Sequence, residues 1–219
     1  CISEAVYNAL LNYGICESKL CLLENAVNIE RVKQESQETP SFKRQTGLIY
    51  IGMIAQFRVE KDHVTLIQAL KNFSPKHVLI LAGHGDTLNS CKDLVLELGL
   101  NDRVIFLGEV GNTSAVISNL DLCVLSSHWE GFGRSIVEAM SLGKPVVASN
   151  VSGLSDVVRP IGSLFEPKDS LGLKRAIEFE LSRPNSYKKS LISYASKFDI
   201  TTHCAKYDSM IKKLNKCVV

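Results

Sequence analysis

Residues 48–70 read LIYIGMIAQFRVEKDHVTLIQAL, and this stretch decides the fold class. Its first ten residues form a nearly continuous run of apolar side chains, which is typical of a strand buried on both faces. From Asp62 onward apolar residues recur at helical spacing, and Asp62 is a plausible N-cap residue. The stretch therefore predicts one buried strand, a short loop and one helix.

The same alternation of strand and helix continues along the chain. Further strands are predicted in HVLILAG (77–83), RVIFLG (103–108), DLCVLSS (121–127) and KPVVAS (144–149), with helices in TLNSCKDLVLELG (87–99), TSAVISNL (113–120) and GRSIVEAMSLG (133–143). A short connector and GSLFEP (162–167) follow, and the tail from Leu171 is helical by pattern. The alternation predicts an α/β fold: a Rossmann-like, doubly wound parallel sheet with helices on both faces and a helical C-terminal tail.

The residues before this domain show a different pattern of predicted elements. SEAVYNALLNYG (3–14) is helical in pattern, KLCLLENAVNIE (19–30) contains a short strand-like run, and VKQESQETPSFKRQTG (32–47) is typical of a linker. The chain starts at Cys1, and no strand precedes the first helix. We expect it to be part of a longer protein.

Composition excludes several classes of protein. The formal net charge is +2 and Lys and Arg form no stripe with aromatic residues, which argues against nucleic-acid binding. With 45% hydrophobic and 22% charged residues, wholesale disorder is not expected. The sequence has neither a signal peptide nor an apolar stretch of about 20 residues that would cross a bilayer.

The seven cysteines form neither a CxxC pair nor a zinc-ligand pattern with histidine, and their number is odd. Cys123 lies in an apolar strand, where a free thiol behaves as a small core residue. We interpret all seven as reduced thiols of a cytosolic protein.

The strongest chemical signal is SSHWEGFGRSIVEAMSLGKPVVAS (126–149). Gly131 and Gly133 let the backbone approach a ligand closely, and the helix that they open offers unpaired N–H groups to a phosphate. Glu138 lies eight residues after Glu130, where its two carboxylate oxygens suit the adjacent hydroxyls of a ribose. Glu130, before the helix, would then face a sugar.

A simpler interpretation treats Glu130 as a helix cap and Glu138 as a solvated surface charge. It is the commoner situation for a lone glutamate. The residues around Glu138, however, are the apolar Ile136, Val137, Ala139 and Met140, and a glutamate with such neighbours is less often exposed to solvent. Together with the glycines, this favours the ligand-binding interpretation.

These residues resemble the E-x7-E signature of the family 4 glycosyltransferases, which are retaining enzymes with two Rossmann-like lobes, the GT-B architecture. The resemblance covers most of residues 48–180 in the family's order and matches its C-terminal, donor-binding lobe. Its motifs are Glu130-Gly131-Phe132-Gly133, Glu138-Ala139-Met140, Gly143, Pro145-Val146-Val147, HVLILAGHGD (77–86), DRVIFLGEV (102–110), SGLSDVV (152–158) and GSLFEPKD (162–169). The segment LLENAVNIERV (22–32) resembles the end of the N-terminal lobe.

The resemblance implies a donor site with two catalytic residues, Lys61 and Glu130. Lys61 is the cation expected to hold the donor's diphosphate, and Gln56 stands where family members usually carry an Arg. Gln donates a hydrogen bond without charge. Either Arg58 replaces that Arg from the same loop, or stabilisation of the leaving group is weaker.

The remaining donor-binding positions come from the loops after the strands. Gly83 follows the second strand, where a tight turn is the first expectation and close approach to the donor the second. Val110 lies in the stretch 108–112 that resembles the family's base-contacting loop. His128 and Trp129 either line the donor pocket or shape the turn. The assigned residues at the start of the following helix are Gly131, Phe132, Gly133, Arg134, Ser135 and Glu138.

The resemblance divides the chain into a remnant of the N-terminal lobe with an interlobe linker (1–46), a nucleotide-sugar-binding domain (47–182) and C-terminal helices (183–219). It implies a cytoplasmic glycosyltransferase that passes a hexosyl unit from a nucleotide-diphosphate sugar to a glycan or lipid-linked acceptor, in cell-surface polysaccharide synthesis, without cofactor or metal. The chain by itself would lack the lobe needed for activity. The lysine-rich tail is either a solvated helix face or a peripheral contact with an anionic membrane.

Two alternatives remain open at this point. One is a GT-B nucleotide-sugar epimerase, against which the Glu130–Glu138 spacing argues. The other is a nucleotide-binding module without catalysis. A dinucleotide oxidoreductase is disfavoured, because no GxGxxG follows the first strand.

Overall fold

The computed structural model describes residue 1 and residues 4–216. Six strands form one sheet, and every pair of neighbouring strands is parallel. The strands are β1 (Ile49–Ile54), β2 (His77–Ala82), β3 (Val104–Gly108), β4 (Leu122–Leu125), β5 (Val146–Ser149) and β6 (Ser163–Phe165). Their order across the sheet is β3-β2-β1-β4-β5-β6, so the winding reverses between β1 and β4. The predicted Rossmann-like, doubly wound sheet is confirmed.

The α-helices of the described chain are α1 (Glu4–Asn12), α2 (Ile29–Glu35), α3 (His63–Leu70), α4 (Leu88–Glu97), α5 (Thr113–Ser118), α6 (Arg134–Ser141), α7 (Leu154–Val158), α8 (Ser170–Leu181), α9 (Tyr187–Ala195) and α10 (Ile200–Lys216). They pack in two groups: α3 contacts α4 and α8, whereas α6 contacts α2, α5 and α9. The two groups flank the sheet, and the helical C-terminal tail is confirmed.

The strands are buried because they are covered on both faces. In β2, Leu79, Ile80, Leu81 and Ala82 are fully buried, and β4 and β5 are buried along their whole length. Asp62 caps α3 as predicted, since its side chain accepts a hydrogen bond from the Thr65 N–H at 3.2 Å.

The strand-like run predicted in residues 19–30 is wrong. Within it the described backbone makes one isolated bridge, between Val27 and Asp199, and helix α2 begins at Ile29. The Asn28 side chain caps α2 by accepting from the Arg31 N–H at 2.9 Å, and Ile29 and Val32 bury one face of the helix. A two-turn helix is too short to show clear periodicity, which is why the sequence pattern missed it.

The first residues of the segment predicted as a linker are therefore helical, and its later residues contact the domain. Phe42 is buried, with its ring 5.5 Å from that of Tyr50. The Arg44 guanidinium makes two hydrogen bonds to the Asp121 carboxylate, at 3.0 and 2.9 Å. These contacts fasten the approach to β1 onto the sheet.

The six described cysteines, Cys1, Cys16, Cys21, Cys91, Cys123 and Cys204, form no disulfide; Cys217 lies outside the described residues. Cys123 is in the core as predicted, and burial raises the pKa of its thiol to about 12. In the part of the chain that the structure describes, no helix is both long and apolar enough to cross a membrane.

His63 stands at the start of α3, buried, with its ring stacked on Phe57 at a centroid distance of 4.0 Å. Neither ring nitrogen has a hydrogen-bond partner among the described residues, and burial lowers the pKa of the imidazole to about 4. The folded chain therefore keeps His63 neutral over a range in which the unfolded chain protonates it.

We expect His63 to destabilise the fold as the pH falls. Between about pH 6.5 and pH 4 the unfolded state binds more protons, so the free energy of unfolding should decrease by about 3 kcal/mol from this group alone. Replacing His63 with Phe keeps the ring stack and removes the titration. Urea unfolding at several pH values should show a shallower slope for His63→Phe than for wild type, whereas the exposed His84→Ala should keep the wild-type slope. Equal slopes for wild type and His63→Phe would contradict this assignment.

Candidate functional site

A cleft of about 530 Å³ opens where the winding of the sheet reverses, beyond the carboxyl ends of β1 and β4. This is the place where open α/β sheets bind ligands, because the loops after the two strands part in opposite directions. The described residues that line the cleft are Asn25, Ile54, Ala55, Gln56, Lys61, Thr113, Leu125, Trp129, Glu130, Gly131, Phe132, Gly133, Arg134, Ser135 and Glu138.

The loop between β4 and α6 forms one wall of the cleft. Gly133 has φ 81° and caps α6 without a side chain, which leaves the N-terminus of this helix open to the cleft. The backbone angle favours glycine here, and a Cβ at Gly133 would lie 2.6 Å from Leu154 Cδ1, so the Leu154 side chain would also have to move. Phe132 anchors the loop in the core, with its ring 5.5 Å from that of Phe198.

Glu138 is in the second turn of α6 and points into the cleft rather than into bulk water. Its side chain is only 11% exposed, with Oε1 3.5 Å from an Nη of Arg134. Burial raises the pKa of this carboxyl, and the nearby Arg134 opposes the rise. A solvated surface glutamate would be exposed and unperturbed, so the structure does not support the simpler interpretation of Glu138.

Lys61 and Glu130 meet across the cleft although 69 positions separate them in the sequence. Lys61 Nζ lies 2.7 Å from Glu130 Oε2, and the two side chains are 20% and 18% exposed. The other Glu130 oxygen accepts a hydrogen bond from the Gly131 N–H at 3.2 Å. Because a lysine ammonium has three donors, Lys61 can keep this partner and still bind an anion.

The cleft contains nine of the predicted site residues, and three others lie outside its lining. Arg58 is 57% exposed, with a guanidinium nitrogen 3.9 Å from Glu60 Oε1. Val110 packs at the edge of the hydrophobic core. Gly83 contacts the neighbouring loop: a Cβ there would be 2.0 Å from the Ala55 carbonyl oxygen. The structure therefore places Gly83 in a close contact between two loops, outside the lining of the cleft.

Sequence reasoning missed Asn25 and Thr113 as lining residues. Thr113 follows β3 at the same edge of the sheet, so the rule that placed the other residues could also have found it. Asn25 lies before α2, and only the folding of the N-terminal segment onto the domain brings it to the cleft. Trp129, the single tryptophan of the chain, lines the cleft and is 71% exposed.

The loop that carries Glu130 is held in place by Gly153. The two backbones form a bridge, and a Cβ at Gly153 would lie 2.5 Å from the Glu130 carbonyl oxygen and 2.7 Å from that of Gly131. Gly153 has φ 84°, which also disfavours any other residue.

We expect Gly153→Ala to destabilise the fold by about 2 kcal/mol more than Gly99→Ala, because only the first change forces two backbone segments apart. Gly99 is the control for a positive φ, since its φ is 65° and nothing lies within 4 Å of a Cβ there, although the ψ of −49° at Gly153 adds backbone strain of its own. Urea unfolding of both variants measures the difference. Equal losses would show that the backbone angle alone, and not the contact with the loop, is responsible.

Comparison with known proteins identifies the family of the chain. The model of the family described as glycosyl transferases group 1 matches residues 34–198. Lipopolysaccharide 1,6-galactosyltransferase of Escherichia coli K12 is 27% identical over 180 residues, which are 78% of this chain and 48% of that protein. The 2-deoxystreptamine glucosyltransferase of Streptomyces kanamyceticus is 28% identical over 183 residues, 78% of this chain and 47% of that protein. The chain spans about half the length of these relatives or less.

Solved structures share the fold. A glycosyltransferase from Rickettsia africae ESF-5 superimposes with a TM-score of 0.89 and 21% identity, covering 98% of this chain and 62% of that one. Anabaena Alr3699/HepE, solved in complex with UDP, has a TM-score of 0.85 and 24% identity over 97% of this chain and 63% of that one. Since the family model covers most of the chain and the cleft lies within its range apart from Asn25, the chain belongs to the group 1 glycosyl transferases.

Proposed function

We propose that the cleft binds a nucleotide-diphosphate sugar, and that the protein to which this chain belongs transfers the hexosyl unit with retention of anomeric configuration. The observation that carries the proposal is the arrangement of three features in one cleft: the open N-terminus of α6, the Lys61 ammonium and the buried Glu138 carboxylate. Such a donor requires a site for its diphosphate, a cation beside that site and a site for its ribose.

The diphosphate is assigned to the start of α6. The first N–H groups of a helix have no partner within the helix, and its dipole favours an anion by about 0.3–2 kcal/mol. That is too little to hold a doubly charged group alone, so Lys61 supplies a full positive charge. Gln56 lines the same wall and can add a neutral hydrogen bond.

These groups also suit the chemistry of transfer. When the bond between the sugar and the diphosphate breaks, negative charge develops on the departing phosphate oxygen. Donors aimed at such a charge commonly lower the barrier by about 3–4 kcal/mol each. Lys61 and the N–H groups of Gly133 and Arg134 would stabilise this charge, while the Glu130 carboxylate would face the hydroxyls of the sugar.

The ribose is assigned to Glu138, whose position in the second turn of α6 lies behind the phosphate site. Two acceptor oxygens match the two adjacent hydroxyls of a ribose. The structural neighbour Alr3699/HepE, which has been solved with UDP and with UDP-glucose, supports a uridine nucleotide as the first ligand to try.

The remaining parts of the proposal concern the whole protein. The acceptor is a glycan or a lipid-linked glycan, bound by a second lobe. The setting is cytoplasmic, in polysaccharide or lipopolysaccharide synthesis, with a peripheral contact to the membrane through the lysines of α10. The similarity to the E. coli lipopolysaccharide galactosyltransferase supports this setting. No cofactor or metal is assigned a role.

A thermal-shift and calorimetric screen of UDP, GDP, ADP and the corresponding nucleotide sugars tests the proposal. A ligand at 100 times its Kd should stabilise the fold by about 2.7 kcal/mol. We expect one diphosphate to bind in preference to its nucleoside. Failure of every compound to bind at millimolar concentration would overturn the proposal. Incubation of the protein to which this chain belongs with a labelled nucleotide sugar then separates transfer, in which the label moves to an acceptor, from epimerisation, in which the donor sugar changes its configuration and keeps the label.

A further inference from the structure

The loop after β1 and the loop after β4 are joined by more than the Lys61–Glu130 pair. The Ser126 hydroxyl lies 2.8 Å from the Asp62 carbonyl oxygen and 3.2 Å from that of Lys61, so one donor is shared between two acceptors. The backbone N–H of His128 donates a hydrogen bond to the Glu60 carbonyl oxygen at 2.7 Å. We call Ser126, His128 and their three partners, Glu60, Lys61 and Asp62, the loop brace.

A side-chain contact completes the loop brace. His128 Nε2 lies 2.7 Å from Asp62 Oδ2, although the alignment is not that of a hydrogen bond. The same Asp62 carboxylate caps α3, since its oxygens also accept from the Thr65 N–H at 3.2 Å and the Thr65 hydroxyl at 2.6 Å. Asp62 thus ties the helix start to the β4 loop.

Within the loop brace, the backbone of Asp62 has an unusual conformation. Asp62 has φ 48° and ψ 53°, a left-handed conformation that is uncommon for residues other than glycine, although Asp adopts it more readily than most because its side chain can hydrogen-bond locally. The four contacts that Ser126 and His128 make with Glu60, Lys61 and Asp62 restrain this backbone directly after Lys61.

Neither Ser126 nor His128 lines the cleft, so any effect that they have on a ligand is indirect, through the residues that they hold. Ser126 is fully buried, and the His128 side chain is 30% exposed. A lysine side chain is long and flexible, and the position of its ammonium depends on where its backbone is held. Small displacements of such a group can reduce its effect on a reaction by up to about 100-fold.

We propose that Ser126 and His128 are positioning residues that hold the Lys61 backbone so that its ammonium stays beside Glu130 and faces the diphosphate. The inference rests on the proposed function, because it assumes that Lys61 binds phosphate. The loop after β4 would then both carry Glu130 and hold the backbone of Lys61.

Two variants test the inference independently. His128→Ala and Ser126→Ala should each weaken binding of the nucleoside diphosphate that wild type prefers by about tenfold, with the corresponding nucleoside bound as in wild type. His128→Gln can donate to Asp62 from a similar position and should bind close to wild type. His77→Ala is the control, because His77 is the first residue of β2 and lies at the amino end of the strands, whereas the cleft is at their carboxyl end. Calorimetry measures both ligands, and circular dichroism checks that each variant is folded.

The outcomes distinguish the positioning role of Ser126 and His128 from the proposed function. Loss of diphosphate affinity with retained nucleoside affinity in either alanine variant, and recovery in His128→Gln, supports positioning. If both alanine variants bind the diphosphate like wild type, or lose both ligands equally, the positioning role is overturned while the proposed function stands. If wild type binds none of the diphosphates, the proposed function is overturned and this inference with it.

Discussion

Lys61→Ala is expected to weaken binding of the nucleoside diphosphate by roughly 10- to 100-fold, with the nucleoside bound as in wild type. Hydrogen bonds from a charged donor contribute about 1.5–3 kcal/mol, and Lys61 is a cation that the fold brings to the cleft from a different loop, beside the open start of α6. Removing it also leaves Glu130 without its partner at 2.7 Å, and the freed carboxylate would repel the diphosphate.

Calorimetry with both ligands measures this effect, and the double variant Lys61→Ala, Glu130→Gln separates its two causes. If repulsion by Glu130 matters, the double variant should bind the diphosphate more tightly than Lys61→Ala alone. Lys71→Ala is the matched control, because Lys71 lies at the far end of α3. Equal losses of diphosphate and nucleoside affinity in Lys61→Ala would contradict a contact with phosphate.

Glu138→Ala should weaken the same ligand by about 10- to 100-fold through loss of the ribose, since two hydroxyls lose a charged acceptor. A 2′-deoxynucleoside diphosphate offers one hydroxyl fewer, so the variant should lose less affinity for it than for the ribonucleotide. The comparison requires four calorimetric measurements. Identical losses for the two nucleotides would remove the assigned contact with the 2′-hydroxyl.

Glu138→Gln should at the same time make the ligand-free chain more stable. Burial raises the pKa of the Glu138 carboxyl, which means that the folded state disfavours its ionised form. The charge therefore costs stability at neutral pH, and the cost disappears as the pH falls below the unfolded pKa of about 4.3. Urea unfolding at pH 7 should show a gain for Glu138→Gln, and the gain should vanish near pH 4. Residues that reduce stability in this way are typical of binding sites.

The strands and most helices could be predicted from the sequence because each carries its own local signal. The continuous apolar run of β1 and the helical spacing after Asp62 depend on neighbouring residues, and the structure follows them. Helix α2 was not predicted, since two turns with a single buried face give too weak a pattern. The alternation of strands and helices predicted a doubly wound parallel sheet, and the structure shows that its winding reverses between β1 and β4.

The candidate site was predictable to the extent that it follows from one rule, that ligands bind after the strands of a parallel sheet. Gln56, Lys61 and the residues of the β4–α6 loop satisfy that rule and line the cleft. Arg58 satisfies it equally well, yet its side chain faces Glu60 and the solvent. Sequence position alone could not distinguish Arg58 from Lys61, because the direction of a loop side chain depends on contacts made elsewhere.

By itself the amino-acid sequence determined the fold class, the edge of the sheet at which ligands bind and the two glutamates eight positions apart. Only the tertiary structure decided that Lys61 meets Glu130, that Glu138 is buried and that Ser126 and His128 hold the neighbouring loop. The physical reason is the distance along the chain: a hydrophobic period or a helix cap is formed by residues a few positions apart. The contact between Lys61 and Glu130 joins residues 69 positions apart, and it exists only once the sheet has brought β1 and β4 side by side.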